Sequence, residues 1–412
     1  MVLPSSIWWL ISWTWVISLP ANSWQASLGE RSLPSLSPDD ISILVTTPDP
    51  VKNVDPSNPN SHLSKILIPR PPDSANNTQV RQYIVKTLKD LNWHVEEDAF
   101  TDNTPYGPKK FTNIIATKDP KASGRVVVAA HFDSKFFPDY PANQFVGATD
   151  SAAPCAMMLD LAEALNPLLE KRLSRLQEGE EDDDDDDDIG DLTLQLIFFD
   201  GEEAFKDWTD VDSIYGARHL AAKWESTYVQ THAKRRLFGD IATELSGIEH
   251  FILLDLLGAP QPSLRSFFLD TAWLFDALVH AEKRLGDSGA FAYGEEKSMA
   301  PGQWRSYFRP RTSNLFNMGF IGDDHAPFLH RGVPVLHLIA EPFPRVWHTL
   351  RRTGYSDYAA VESTASSIYV RVSAFAAEGP QEIIIGRCAC REVGIGIVVV
   401  VIYVLIHFYT DT

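Results

Sequence analysis

A chain of 412 residues, 44% hydrophobic and 22% charged, is long enough for one large domain or two small ones and can build a real core. Its formal charge of −19 is mostly local: eleven acidic and no basic residues lie from Glu178 to Asp191, leaving about −8 for the rest, with no lysine or arginine stripe, which argues against nucleic-acid binding. The three cysteines, Cys155, Cys388 and Cys390, can build neither a disulfide scaffold nor a thiolate zinc site, since the last two are one residue apart and Cys155 reads as a small buried apolar residue.

The first predicted element is apolar. Ile7–Leu19 has the length of a signal-peptide core and is short for a membrane span, and small residues follow at Ala21 and Ser23. Residues 1–23 therefore read as a signal peptide. An uncleaved anchor is the alternative, because the basic leader is missing. Residues 24–74 form a lead-in, rich in Pro, Ser and Asp over 29–73 and expected to pack poorly. Asn76-Asn77-Thr78 is a glycosylation sequon that fits a secretory chain. The domain proper is expected over residues 75–378.

Within that domain a helix is predicted from Thr78 to Leu91. Apolar, β-branched runs predict strands over Thr112–Thr117, Arg125–Ala130, Leu192–Phe199, His250–Leu254 and Val333–Ile339. Helical patterns cover Ser151–Leu165, Ala217–Trp224, Ala272–Arg284 and Val361–Phe375. The acidic run Glu180–Asp188 holds no apolar residue and reads as a solvated loop, within 178–191. In the tail, residues 379–412, the stretch 393–409 is a candidate transmembrane segment at the short limit of a span. Arg387 and Arg391 precede it and would be lumenal after signal cleavage, against the positive-inside tendency. A tail foreign to the domain is the rival reading.

Strands alternating with helices imply a single α/β domain with a mixed, mostly parallel central sheet flanked by helices. Ligands of such sheets bind beyond the carboxyl ends of the strands. The polar residues fall there: His131-Phe132-Asp133-Ser134-Lys135, Asp200-Gly201-Glu202-Glu203, Asp255, and the stretch Glu341 to His348 each follow a predicted strand, while Gly147-Ala148-Thr149-Asp150-Ser151 opens a helix.

Asp150, Glu203 and His348 would supply two oxygens and one nitrogen from separate elements to a zinc ion that keeps an open position. Glu202, adjacent to Glu203 at a strand end, would remain free to move protons. Asp133 could orient His131 from behind. Alternatively His131, Asp150 and Asp255 could make a second metal site sharing Asp150. Two zinc ions suit a hydrolase with a bridging hydroxide; one suits a reaction whose nucleophile belongs to the substrate.

These motifs, with Phe198 to Phe205, Asp212-Ser213-Ile214-Tyr215-Gly216, Leu253 to Ala259, Asp323-Asp324-His325-Ala326-Pro327-Phe328-Leu329 and Pro342 to His348, make the chain similar to the glutaminyl-peptide cyclotransferases over roughly residues 75 to 375. The wider clan is that of the zinc aminopeptidases. The resemblance implies zinc on Asp150, Glu203 and His348, Glu202 as acid and base, Asp255 and Asp323 as hydrogen-bond partners of the substrate amine and of Glu202, and a pocket lined by Trp208, His337, Phe343 and Trp347. Read on its own, His337 sits inside a strand, where a satisfied core histidine is the default. Animal members of the family commonly pair the cysteine matching Cys155 with one at the position of Ala130, so that disulfide is not expected here.

The implied reaction is the cyclisation of N-terminal glutaminyl, and more slowly glutamyl, residues of peptides and proteins to pyroglutamate, with release of ammonia. Zinc would polarise the γ-amide carbonyl, the substrate's own α-amine would attack, and Glu202 would pass the proton to the departing ammonia. Aromatic walls would keep out competing water. One zinc per chain is expected. A two-zinc aminopeptidase removing N-terminal residues is the second hypothesis, and a non-catalytic ectodomain the third, disfavoured because every ligand position is filled. Peptide partners, a secretory route, membrane association only through the tail, and a monomer complete the expectation.

Overall fold

Apolar runs that are continuous rather than alternating need cover on both faces, and four strands of this protein are of that kind. The computed structural model of the protein describes residues 53–178, 192–229, 242–259, 261–287, 304–311 and 321–349. Its strands are β1 His94–Thr104, β2 Gly107–Thr117, β3 Gly124–His131, β4 Leu192–Phe199, β5 Tyr228–Val229, β6 Ala242–Thr243, β7 Ile248–Asp255 and β8 Val335–Ile339. Its helices are α1 His62–Ile66, α2 Ala75–Asp90, α3 Ala153–Glu178, α4 Tyr215–Ser226, α5 Ala272–Asp287 and the single turn α6 Ala326–Leu329.

The main sheet has six strands in the order β1-β2-β4-β3-β7-β8. The pairs β4–β3, β3–β7 and β7–β8 are parallel, while β1–β2 and β2–β4 are antiparallel. Alternate side chains of each central strand serve opposite layers. Val126, Val128, Leu194, Leu196, Phe198, Ile252 and Leu254 pack with residues of α1, α2, α3 and α5. Val127, Ala129, Ile197, Phe199, Phe251 and Leu253 pack with Ala217, Leu220 and Trp224 of α4 and Phe328 of α6. The predicted mixed, mostly parallel sheet between helical layers is therefore present, and its parallel strands all end on one side.

Three differences from the sequence reading have physical reasons. The hairpin strand β1 carries His94, Glu96, Glu97, Asp98 and Asp102 at the sheet edge, with most positions open to solvent, so no apolar run announces it. Its turn is Pro105-Tyr106, closed by Gly107 at φ 88°, a left-handed value that glycine adopts without strain. The helix predicted from Thr78 begins earlier: Ser74 caps it, its hydroxyl accepting from the Asn77 N–H.

The third difference is the lead-in, whose described part, residues 53–73, is well packed. Val54, Leu63 and Ile66 are core residues, and Arg70 is fully buried. The Arg70 guanidinium donates to the carbonyls of Phe132, Val146 and Gly147, and Ser134 donates and accepts across the Arg70 backbone. The lead-in thus stitches together the loops after β3 and before α3. The N-terminal apolar run, the acidic residues 179–191, the helix predicted over Val361–Phe375 and the segment 393–409 lie outside the described residues. Among the described residues, no helix is long and apolar enough to cross a membrane.

Candidate metal centre

Each parallel strand delivers its polar residues to the same edge. β3 ends at His131, β4 runs into Asp200-Gly201-Glu202-Glu203, β7 ends at Asp255, and β8 leads to the 341–348 loop. Between β3 and α3 the chain makes one wide turn, Ala148–Ala152. Gly147 enters it at φ 52°, and a Cβ there would lie 2.1 Å from the Asp150 carbonyl oxygen, so the turn that presents Asp150 requires glycine.

The three predicted ligands converge. One donor atom each from Asp150, Glu203 and His348 lies within 4.8 Å of the others. His348 Nε2 is 2.9 Å from Glu203 Oε1 and 3.2 Å from Asp150 Oδ2. Asp150 and Glu203 are buried, and Asp150 Oδ2 has no hydrogen-bond partner. Two carboxylate oxygens and an imidazole nitrogen aimed at one point, one oxygen left unsatisfied, form a donor set that fits a divalent metal such as zinc.

Behind this set lies a second layer. His131 Nε2 is 3.0 Å from Asp150 Oδ1 and 3.5 Å from Asp255 Oδ1, and Ser151 Oγ donates to Asp255 Oδ1. His131, Asp150 and Asp255 also form a group with metal-ligand spacing, so the alternative second site is retained geometrically. Asp133 accepts the backbone N–H of Glu202 at 3.2 Å and of Glu203 at 3.4 Å, and its carboxylate lies 3.4 Å from His131 Nδ1. It therefore anchors the Glu202-Glu203 backbone and carries negative charge next to His131. Asp323 sits 2.8 Å from His337 Nε2, and His325, its ring tilted against that of His337 with centroids 4.3 Å apart, completes a third such group. His337 is buried and bonded to Asp323, as its strand-interior position suggested.

Charge crowding sets the acidities. Burial, with Glu203, Asp323 and Asp324 nearby, holds the Glu202 carboxyl well above its ordinary range. Burial and Asp323 push Asp255 up to about 6. Burial alone would raise Asp150 too, but the hydrogen bond with His131 and the charge of the His348 imidazole beside it hold it low. Burial opposes charge on His348, yet Asp150 and Glu203 push it up to about 9. Glu202, whose carboxyl is pushed up, thus stands close to Asp150, whose carboxyl is held low, a separation of the kind that lets neighbouring carboxyls take different tasks.

Aromatic side chains border the centre. Trp347 stacks on His348 with centroids 4.1 Å apart and packs edge-on to Phe343 at 5.0 Å. Trp208 and Trp347 are 49% and 40% exposed, so they stand at a rim rather than in the core. Trp208 lies against Gly322, next to Asp323.

Several residues given no role in the sequence reading also shape this region. Phe145 meets His348 edge-on, and Phe267 faces His337. Lys135 Nζ lies 3.3 Å from Glu203 Oε2 and 3.0 Å from the Ala204 carbonyl. Asp324 is buried with neither carboxylate oxygen hydrogen-bonded. Asp212 gathers the loop after Glu203: Oδ1 accepts from Phe205 N and Tyr215 Oη, and Oδ2 from Lys206 N and Asp207 N, at 2.7–3.1 Å. The signal for Lys135 and Asp212 lay within the quoted motifs, but backbone contacts of this kind have no periodicity to read.

The mixed sheet and the carboxylate–histidine centre at its carboxyl edge define an α/β protein of the metallopeptidase type, and residues 113–367 match the model of peptidase family M28. The chain is 45% identical over 290 residues to the glutaminyl-peptide cyclotransferase of Bos taurus, covering 70% of this chain and 73% of that one. It is 41% identical over 305 residues to the enzyme of the same name from Drosophila melanogaster, covering 74% and 76%. The crystal structure of Macrostomum lignano glutaminyl cyclase superposes with a TM-score of 0.66 at 31% identity, covering 92% of this chain and 97% of that one. The chain belongs to family M28 and, within it, to the glutaminyl-peptide cyclotransferases. Cys155 is a free, buried thiol whose Sγ lies 3.2 Å from the His131 carbonyl; burial pushes it up to about 12, and Ala130 stands beside that strand end without a sulfur to offer.

Proposed function

We propose that the protein converts N-terminal glutaminyl residues of peptides to pyroglutamate, releasing ammonia. The observation that carries this reading is the juxtaposition of Glu202, a buried carboxyl left out of the donor set, with the converging donors of Asp150, Glu203 and His348, in a chain whose relatives are cyclotransferases. Asp150, Glu203 and His348 would hold zinc, which when bound supplies a Lewis acid for the γ-carbonyl.

The rest of the chemistry belongs to this chain's side chains. The substrate α-amine bonds to the γ-carbon, and the bond from that carbon to the amide nitrogen breaks. Glu202 takes one proton from the amine and gives one to the leaving nitrogen, so that ammonia departs and Glu202 returns to its starting state. Asp255 and Asp323 accept hydrogen bonds that aim the amine and Glu202. Trp208, Phe343 and Trp347 wall the pocket, with His337 fixed behind it by Asp323, and limit access of the water that would yield glutamate instead. Because the nucleophile arrives within the substrate, one ion suffices, and His131 acts through its hydrogen bond to Asp150 and its charge contact with Asp255 rather than as a ligand.

The secretory pathway is the proposed location, supported by the apolar N-terminal run. Mass spectrometry of a Gln-initiated peptide after incubation tests the activity. The expected product is lighter by one ammonia. Loss of the whole first residue, together with two tightly bound zinc ions per chain, would instead establish the aminopeptidase reading.

A further inference from the structure

The sequence contains one Asn-X-Ser/Thr triplet whose middle residue is not proline, Asn76-Asn77-Thr78, and the proposed catalysis makes no use of it. It occupies the first turn of α2, just after the capping residue Ser74. The two asparagines have different surroundings. Asn77 is 5% exposed, and its amide donates to Asp200 Oδ1 at 2.9 Å and to the Arg70 carbonyl at 3.4 Å. It is part of the scaffold under the centre, because Asp200 directly follows β4. Asn76 is exposed, and its amide makes one bond, to the Pro69 carbonyl at 2.7 Å.

A side-chain amide carries two N–H donors. Attachment of a sugar to Asn76 Nδ2 consumes one and leaves the other for the Pro69 carbonyl. The folded protein can therefore carry a substituent at Asn76 without losing the contact that residue makes, and without entering the core. The same substitution at Asn77 would remove a donor from a buried carboxylate. The contact of Asn77 with Asp200 also puts the triplet at the end of the sheet that bears the centre.

We propose that Asn76 carries an N-linked oligosaccharide, added in the secretory pathway; this rests on the secretory reading given above. In the transfer, Asn76 Nδ2 forms a bond to the anomeric carbon of the first N-acetylglucosamine of a polyprenyl-pyrophosphate-linked oligosaccharide. The bond from that carbon to the pyrophosphate oxygen breaks, polyprenyl pyrophosphate leaves, and one amide proton passes to the transferase.

The test expresses the full chain in animal cells in two forms, one with its own N-terminus and one behind a heterologous cleavable signal, and compares gel mobility before and after peptide-N-glycosidase F. With the heterologous signal, the wild-type chain is expected to shift by one glycan. Asn76→Gln and Thr78→Ala should abolish the shift, while Thr78→Ser, which keeps the triplet, should retain it. Chain recovered from the medium with no shift overturns the proposal. A shift in the heterologous-signal form, with the native form left unshifted in the cytosol, supports Asn76 as an acceptor but overturns both the secretory reading and glycosylation of the native chain.

Discussion

Glu202 and Glu203 are neighbours in sequence to which the proposed reaction gives different tasks, and this supplies the most direct test of the site. Both backbone N–H groups are tied to Asp133, while only the Glu203 carboxyl belongs to the converging donor set. Glu202→Gln keeps the shape and removes the proton carrier; zinc content should stay at the wild-type level while kcat falls by about 10²-fold or more. Near wild-type turnover would remove Glu202 from the acid–base role. Glu203→Ala takes one donor from the converging set, and metal analysis should find both zinc and turnover lost. Asp212 acts at one remove. Its carboxylate closes the loop that carries Trp208 by accepting four hydrogen bonds. In Asp212→Asn an NH2 group must face N–H donors, which costs about 1–3 kcal/mol locally. The expected result is a KM raised several-fold with kcat less affected, as Trp208 loosens. A fall in kcat alone at unchanged KM would contradict that assignment.

At the scale of elements, Glu282 is the buried carboxyl by which α5 holds the 304–311 segment, beside exposed bonds from Trp304 to Asp287 and from Arg311 to Asp276. Glu282 accepts from Ser306 Oγ and from the Tyr307 N–H at 2.8 Å, and burial pushes it from 4.5 up to about 7. The folded state therefore binds this proton more tightly than the unfolded state between roughly those two values. Stability must fall as pH rises through that window, by up to about 3 kcal/mol for this group. Glu282→Gln keeps an acceptor for Tyr307, so denaturant melts at pH 5 and pH 8 should show a smaller pH dependence in the variant; an equal dependence would rule Glu282 out as its source. Legibility from sequence also varied by element. β4 was readable because Leu192–Phe199 is apolar throughout and buried on both faces, and the acids after it fell where parallel strands must end. β1 was not, because an edge strand dominated by polar side chains leaves no apolar run. The described part of the lead-in, residues 53–73, packs more closely than its composition suggests because Arg70 is anchored by main-chain carbonyls, and no pattern of side-chain types records where carbonyls will converge. Asp150 and Glu203 stand out as candidate donors because they lie just before a helix and just after a strand; Phe145 and Phe267 do not, because an aromatic beside a site and one in a core are the same letter.

For the whole molecule, the decisive feature is the concentration of negative charge at one end of the sheet. Asp150, Glu202, Glu203, Asp255, Asp323 and Asp324 are all buried there, and their mutual repulsion contributes to raising Glu202, Asp255 and Asp324. A bound divalent cation offsets that repulsion, so metal affinity and folding stability are linked. The hydrophobic layers on both faces of the sheet include none of Asp150, Glu203 and His348, so they should persist without the ion. Treatment with a strong chelator is therefore expected to abolish turnover while leaving the far-ultraviolet circular dichroism spectrum intact. Ligand linkage gives about 2.7 kcal/mol at a metal concentration 100 times Kd, which corresponds to a Tm lowered by about 4 °C for a domain of this size. Adding zinc back should restore both Tm and activity, and magnesium should not, since a nitrogen-containing three-ligand set suits zinc and not an ion that demands octahedral oxygen. Full turnover and an unchanged Tm in protein verified to be metal-free would show that neither catalysis nor stability depends on an ion at this centre.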